Sequence, residues 1–318
     1  MPSKYSLVPL ELDGLDTYPL ASRKSKVGRE QLAHPSTPDA SFRGFWDSLP
    51  DILAASDLKD LVSRLHAARA DDRSIVWGLG AHVIKVGLSP LLVDLMERGF
   101  VSGLALNGAG IIHDFEMAMV GQTSEEVADG LSEGKFGMAE ETGNLLNRAI
   151  ARGASEDIGL GESVGALLDR ETPAHKETSL LWNAYRLGIP VTVHVALGTD
   201  IIHMHPQASG EAIGKTTLHD FRLFASVVRG LDGGGAYLNV GSAVLLPEVF
   251  LKAVSVVRNL GHSLKDFSTA NFDFIRHYRP RVNVVQRPIA GTGRGFEFVG
   301  HHEILLPLLA QALLSTDR

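Results

Sequence analysis

From Asp57 to the C-terminus the chain alternates two hydrophobic rhythms. Asp57–Ala68 carries apolar residues at helical spacing, and Ser74-Ile-Val-Trp-Gly-Leu79 is a short apolar run that ends at a glycine turn. Ser89-Pro90 opens a helix over Leu91–Arg98, because Ser is a good N-cap and Pro suits the first turn, and Gly99 closes it. Val101–Leu106 is the next predicted strand and stops at Asn107-Gly108-Ala109-Gly110. Thr123-Ser-Glu-Glu126 has the form of a capping box ahead of another helix. Helical spacing continues through Met138–Arg152, Glu162–Asp169 and Ser179–Arg186. The strand rhythm returns at Ile189–Ala196, Gly235–Val240, Thr269–Phe274 and Val282–Gln286. Helices over Thr216–Arg229 and Pro247–Leu260 lie between these strands, and a last helix covers His302–Leu314.

Apolar strands alternating with helices predict a mostly parallel sheet covered on both faces, a doubly wound α/β fold. No linker separates a helical insert around 114–187 from the strands beside it, so 50–318 reads as one domain. Residues 1–49 differ in kind. Pro2, Pro9, Pro19, Pro35 and Pro38 are spread among small and charged residues without periodicity. This segment reads as an extended arm lying on the body or on a neighbouring subunit, or as a partly disordered tail.

Charge and composition narrow the function. Thirty basic against 37 acidic residues leave a net charge of −7, and no basic stripe marks a nucleic-acid surface. The absence of Cys excludes disulfides, thiolate zinc sites and a cysteine nucleophile. No apolar run approaches the roughly 18 residues of a membrane span, and Met1-Pro-Ser-Lys-Tyr5 lacks the apolar stretch of a secretory signal. A cytoplasmic protein is the expectation.

In an open parallel sheet, ligands bind beyond the carboxyl ends of the strands. Every predicted strand except Thr269–Phe274 is followed there by glycine and polar residues. Gly78-Leu-Gly80-Ala81-His82 and Lys85 follow the first, and Asn107–Gly110 with His113-Asp114 follow the second. Gly198-Thr-Asp200, His203 and His205 follow the third, and Gly241-Ser242 the fourth. Gly291-Thr292-Gly293-Arg-Gly295 and His301-His302 follow the last. Such glycines let backbone N–H groups approach a phosphate, although strand-to-helix turns use glycine for conformational reasons alone. Gly78-x-Gly80 and Gly108-x-Gly110 both lack the third glycine of G-x-G-x-x-G. The histidines suit acid–base or hydrogen-bonding roles, and with Asp114 or Asp200 also metal ligation. No G-x-S-x-G supports a serine nucleophile.

Gly80-Ala-His-Val-Ile-Lys-Val-Gly87, a helix, Leu106-Asn-Gly-Ala-Gly110 and His113-Asp114 resemble deoxyhypusine synthase, which has T-S-N-L-I-S-S-G, a helix and T-A-G-G-x-E-E-D at these places. Ile189–Asp200 is similar to that family's I-P-x-x-x-P-A-x-T-D strand, Leu238-Asn-Val-Gly241 to its L-G-G-G, and Gly291–Gly295 to its G-S-D-S-G turn. The resemblance runs from about Asp57 to the C-terminus. It implies a Rossmann-like, NAD-binding subunit of a homotetramer, with sites near a dimer interface. Carried over by position, Gly80, Ala81, His82, Asn107, Gly108, Ala109, Gly110, Asp200, Gly291, Thr292 and Gly293 line the cofactor site. His113 and Asp114 fall where family carboxylates bind.

The departures are chemical. The family forms an imine on a lysine in a W-G-K segment, but this chain has no lysine after Lys265, and the segment reads Phe298-Val-Gly-His-His302. The family's K-H-H is Val244-Leu245-Leu246 here, and two polyamine-binding acidic positions read His113 and His205. The expectation is therefore an NAD-dependent transferase or oxidoreductase of a small metabolite, not a deoxyhypusine synthase. His203, His205 and His113 are the candidate acid–base groups, with Asp114 and Asp200 beside them and Lys85 facing an anionic ligand, all in one pocket without a metal. A His/Asp metal-dependent hydrolase and a non-catalytic binding protein are the alternatives.

Overall fold

The computed structural model describes residues 3–316. Six strands form one parallel sheet in the order β3-β2-β1-β4-β5-β6: β1 Ile75–Leu79, β2 Gly103–Asn107, β3 Val191–His194, β4 Ala236–Val240, β5 Ser268–Asp273 and β6 Arg294–Val299. All five residues of β1 are buried, as befits a strand with neighbours on both edges and helices on both faces. Strand order reverses between β1 and β4, the switch point where doubly wound sheets open a crevice.

Before the sheet come α1 (Phe42–Ser48) and α2 (Leu53–Ala70). The one-turn α3 (His82–Lys85) and α4 (Ser89–Glu97) connect β1 to β2. Between β2 and β3 run α5 (Gly108–Val120), α6 (Val127–Ser132), α7 (Glu140–Glu156), α8 (Leu160–Glu171) and α9 (Leu180–Leu187). The later connections use α10 (Gly210–Arg229), α11 (Leu245–Asn259) and the short α12 (Tyr278–Pro280), and α13 (His302–Ser315) ends the fold.

Two cores result. Trp77, Leu79, Leu106 and Leu238 belong to the larger, on the face of α2, α5 and α13; Val76, Ala105 and Tyr237 meet Phe224 of α10 and Phe250 of α11 on the other. Complete burial of side chains of this size contributes about 1.5–3 kcal/mol each. Trp77 keeps its one polar group satisfied, its Nε1–H donating to the Phe100 carbonyl at 2.9 Å.

Three local expectations are corrected. Arg281–Gln286, whose Val-x-Val-Val reads as a strand, is a π-helix continuing from α12. Its Val284 is buried in the second core, and the buried Asn283 donates to Glu248 on α11. The sheet position falls instead to Arg294–Val299, which pairs with β5 from Ser268 to Asp273. Gly295 permits this arrangement, because a Cβ there would strike the Val285 carbonyl. Thr123 does not cap a helix: α6 starts at Val127, Glu126 accepts from the Ala128 N–H, and the Thr123 hydroxyl is engaged elsewhere. Ser89 lies inside α4, with Leu88 at the cap.

Most of the arm is solvent-exposed. Leu7, Val8 and Leu10 are each more than four-fifths exposed, and Trp46 in α1 is the first side chain to enter the core. Among the described residues, no helix is long and apolar enough to cross a membrane.

Candidate active site

The carboxyl edge of the sheet is built from the turns that leave it. Gly80 and Gly241, ending β1 and β4, are in backbone contact: a Cβ on Gly80 would strike the Gly241 carbonyl. Gly241 itself has φ +67°, a conformation in which glycine alone is unstrained. This close approach closes the base of the switch-point crevice.

Asn107 caps α5, its Oδ1 accepting from the Gly110 N–H at 3.1 Å. The carboxylate of Asp200 also sits at this helix terminus, where a Cβ on Gly108 would collide with it. The positive end of the helix dipole thus already holds a carboxylate, in the position where a phosphate would otherwise be bound. Burial raises the Asp200 pKa above the ordinary carboxylate value, opposed by His203 and by the nearby Thr199 hydroxyl and Ala109 N–H.

His203 Nδ1 accepts from the Gly198 and Asp200 N–H groups at 3.1 and 3.4 Å, so the proton of the neutral ring lies on Nε2. That Nε2 lies 3.9 Å from Asp200 Oδ2, beyond hydrogen-bond range, and both atoms are buried without a partner. The pair therefore carries an unsatisfied donor and an unsatisfied acceptor in the interior.

Beside it opens a cleft of ≈ 230 Å³ lined by Lys85, Ala109, His113, Glu116, Glu125 and Asp200 together with apolar Ile112, Val127, Phe136 and Ile201. The His113 pKa is lowered to about 4, first by burial and then by the charge of Lys85, so the ring is neutral at physiological pH. Its Nδ1 meets the Thr123 hydroxyl at 2.7 Å, and that hydroxyl donates to Glu116 Oε2 at 2.6 Å. The Thr142 hydroxyl donates to the other Glu116 oxygen at 3.2 Å.

Lys85, His113 and Asp200 are therefore brought together, and His203 stands behind Asp200. The other expected residues lie apart. Asp114 is buried, turned away from the cleft onto the start of α9, where it accepts from the Ser179 hydroxyl and the Leu180 and Leu181 N–H groups. Burial raises its pKa to about 6 against those bonds. His205 Nε2 is 2.9 Å from the Gly137 carbonyl and its ring packs on Gly143 of α7. His82, His302 and Phe274 form an edge-on aromatic group above β1, β4 and β5, with His301 parallel to Phe274 at 6.1 Å. His302 is buried with Nδ1 unpartnered.

The Gly291-Thr292-Gly293 turn lies at the opposite end of the sheet. It precedes β6, and the Thr292 hydroxyl accepts from the Asp266 N–H just before β5. The expected single pocket of Lys85, His113, Asp114, Asp200, His203 and His205 forms only in part, with Lys85, His113 and Asp200 lining it. Among the described residues, no three His, Asp or Glu side chains gather as a metal-binding set. Thr123 reads in the sequence only as a helix cap, and nothing there marks Thr142; the one signal for Glu116 is that it falls one helical turn after His113.

No protein-family model and no curated protein matches the sequence. Solved structures do resemble the fold. AgrE in ternary complex with ornithine and NAD+ aligns with a TM-score of 0.56 at 14% identity, covering 81% of this chain and 32% of that one. A conserved protein designated LOR/SDH from Methanococcus maripaludis S2 aligns at 0.52 and 14%, covering 83% and 70%. A protein designated a deoxyhypusine synthase from Entamoeba histolytica aligns at 0.51 and 11%, covering 90% and 97%. The chain spans about a third of the length of AgrE and of the arginine dihydrolase ArgZ from cyanobacteria, whose apo structure aligns at 0.51 and 15% identity over 83% of this chain and 33% of that one. At these identities the likeness establishes the fold. It is a Rossmann-like α/β sheet.

Proposed function

We propose that the chain is an NAD-dependent enzyme acting on a small metabolite, related in fold to deoxyhypusine synthase but without that family's imine-forming lysine. The observation that carries the reading is the juxtaposition, at one carboxyl edge, of the β1/β4 switch point and the Lys85–His113–Asp200 cleft. The solved complex of AgrE with NAD+ on the same fold supports it.

The residues fit a dinucleotide in a particular way. The α5 terminus already holds Asp200, so a pyrophosphate falls to the Gly80-Ala81-His82 turn. The Asp200 carboxyl group, which lines the cleft, suits a ribose hydroxyl as its acceptor. The exposed rings of Phe274 and His301 suit a flat heteroaromatic base. NAD would supply hydride acceptance. The chain's residues orient the substrate in the cleft, screen it with Ile112, Phe136 and Ile201, and hold its proton-bearing group against His113. Lys85 is the cleft's cation and Glu116, Glu125 and Asp200 its carboxyl groups, so a ligand carrying both signs of charge is best matched.

Assembly with a second copy belongs to the same reading, because the apolar side chains of the arm are left uncovered by their own subunit. Light scattering on the purified protein is expected to show a dimer or tetramer, reduced to a monomer by deleting the arm.

Calorimetric titration with NAD+ tests the assignment. Saturable binding is expected, with the affinity of Asp200→Asn at least tenfold weaker because it loses a charged acceptor, a change of about 1.4 kcal/mol. Failure of the parent to bind either NAD+ or NADP+ overturns it.

A further inference from the structure

The cleft contains a hydrogen-bond chain whose direction can be deduced. The Thr123 hydroxyl has a single proton and stands between two partners, His113 Nδ1 at 2.7 Å and Glu116 Oε2 at 2.6 Å. A carboxylate only accepts, so that proton lies toward Glu116. The Thr142 hydroxyl lies on the second carboxylate oxygen, which leaves Glu116 doubly engaged and fixed. Toward His113 the Thr123 oxygen can then only accept, and Nδ1 must carry the hydrogen. The ring is neutral, so Nε2 carries none.

The local sequence makes this closure possible. Gly121, with φ +71°, ends α5 in the left-handed conformation and turns the chain back on itself. Thr123 thereby returns beside His113, one turn before Glu116 on the same helix. Thr142 arrives from α7, so the chain crosses three segments that are separate in sequence.

We propose that His113 is the proton acceptor of the cleft, presenting a bare Nε2 to an alcohol or an unprotonated amine, with Thr123 and Glu116 as the positioning residues that set its tautomer. The inference rests on the cleft being the substrate site of the function proposed above. In the step it describes, the ligand's O–H or N–H proton passes to Nε2 and its electron pair stays on the ligand. The imidazolium keeps its Nδ1–H on Thr123, and the Glu116 carboxylate, one hydroxyl away, faces the new positive charge. The charged groups around the ring are Lys85 from α3, Glu116 of α5 itself, Glu125 from the following loop and Asp200 from the segment after β3. Burial opposes protonation most, and the charge of Lys85 adds to it. A ligand that brings a carboxylate to Lys85 would remove the second contribution and strengthen the base as it binds.

Imidazole nitrogen NMR on the whole protein, labelled with 15N-histidine and assigned through His113→Asn, reads the tautomer directly and needs no cofactor. The parent is expected to show His113 protonated at Nδ1 and bare at Nε2. Glu116→Gln is the decisive variant, because its amide can donate to Thr123 and turn the hydroxyl toward His113. The tautomer should then reverse to Nε2–H with the shape of the site kept. Thr123→Val should lose the Nδ1–H preference and Thr123→Ser should restore it. Acylation of His113 by diethyl pyrocarbonate, read by peptide mass spectrometry, should fall several-fold in Glu116→Gln. A parent ring protonated at Nε2, or an unchanged tautomer in Glu116→Gln, overturns the proposal. Failure of NAD+ to bind a parent that shows the expected tautomer would strike the cofactor reading and leave the relay standing.

Discussion

Gly108-Ala109-Gly110 and Gly291-Thr292-Gly293 share the form G-x-G, and the fold puts them on opposite edges of the sheet. The first follows a strand, opens a 13-residue helix and borders the cleft. The second precedes a strand and closes the turn out of the π-helix. The glycines are needed for different reasons. At Gly108 a side chain would displace the Asp200 carboxylate, whereas at Gly293 it would run into the Phe267 carbonyl. A glycine motif acquires chemical meaning from the end of the strand it adjoins, because a parallel sheet gathers its crevice at one edge only.

Substitutions sharpen the contrast. Gly293→Val should be the most damaging, about 3 kcal/mol in urea melts, since the group it meets is backbone and cannot swing away. Its folded fraction should bind NAD+ as the parent does; weakened binding would return that turn to the ligand site.

His194 pairs with Asn107 in the sheet and probes the same end through pH. Burial lowers its pKa from 6.5 to about 3, so the folded state refuses a proton that the unfolded chain accepts below pH 6.5. Stability from this group is complete above 6.5 and is lost as pH falls toward the folded value. Between pH 7 and 5 the parent should lose about 2 kcal/mol relative to His194→Gln. A stability difference between the two that stays constant with pH would refute the neutral buried imidazole.

Gly108→Ala is expected to cost about 1–2 kcal/mol, the scale of a lost helix cap, because the Asp200 carboxylate can move. NAD+ affinity should nevertheless drop at least tenfold, about 1.4 kcal/mol. Undiminished affinity would separate the α5 terminus from the cofactor. Gly291→Ala should have the smallest effect, about 1 kcal/mol for an alanine at φ +91° in open space, with no change in binding.

Five of the six strands were legible: β1 to β4 are short, mostly apolar runs bounded by turns, and β5 follows a helix closed by Gly261 although Ser-Thr-Ala-Asn-Phe-Asp273 is largely polar. β6 was not. Arg294-Gly-Phe-Glu-Phe-Val299 alternates with glycine and charge at its start, while Val282–Gln286, richer in β-branched residues, looks more like a strand than the true one. The cleft was legible through Lys85, His113 and Asp200, each a few residues beyond a strand. The partners that decide what His113 does were not, since Thr123 had an equally good local use as a cap and Thr142 lies 26 residues from Glu116.

The amino-acid sequence by itself determined the alternation of helix and strand, the parallel sheet that follows from strands apolar on both faces, and the gathering of polar turns after β1 to β4. These depend on local periodicity and on the burial of apolar surface, both of which can be read along a chain. Only the tertiary structure decided that β6 takes the place beside β5, that Asp200 occupies the α5 terminus, that Asp114 turns inward to α9, and that one threonine orients His113. Each of these is a choice among hydrogen-bond partners of similar local merit. What breaks the tie is the cost of leaving a buried polar group unpaired, about 1–3 kcal/mol, and that cost exists only once distant segments have packed.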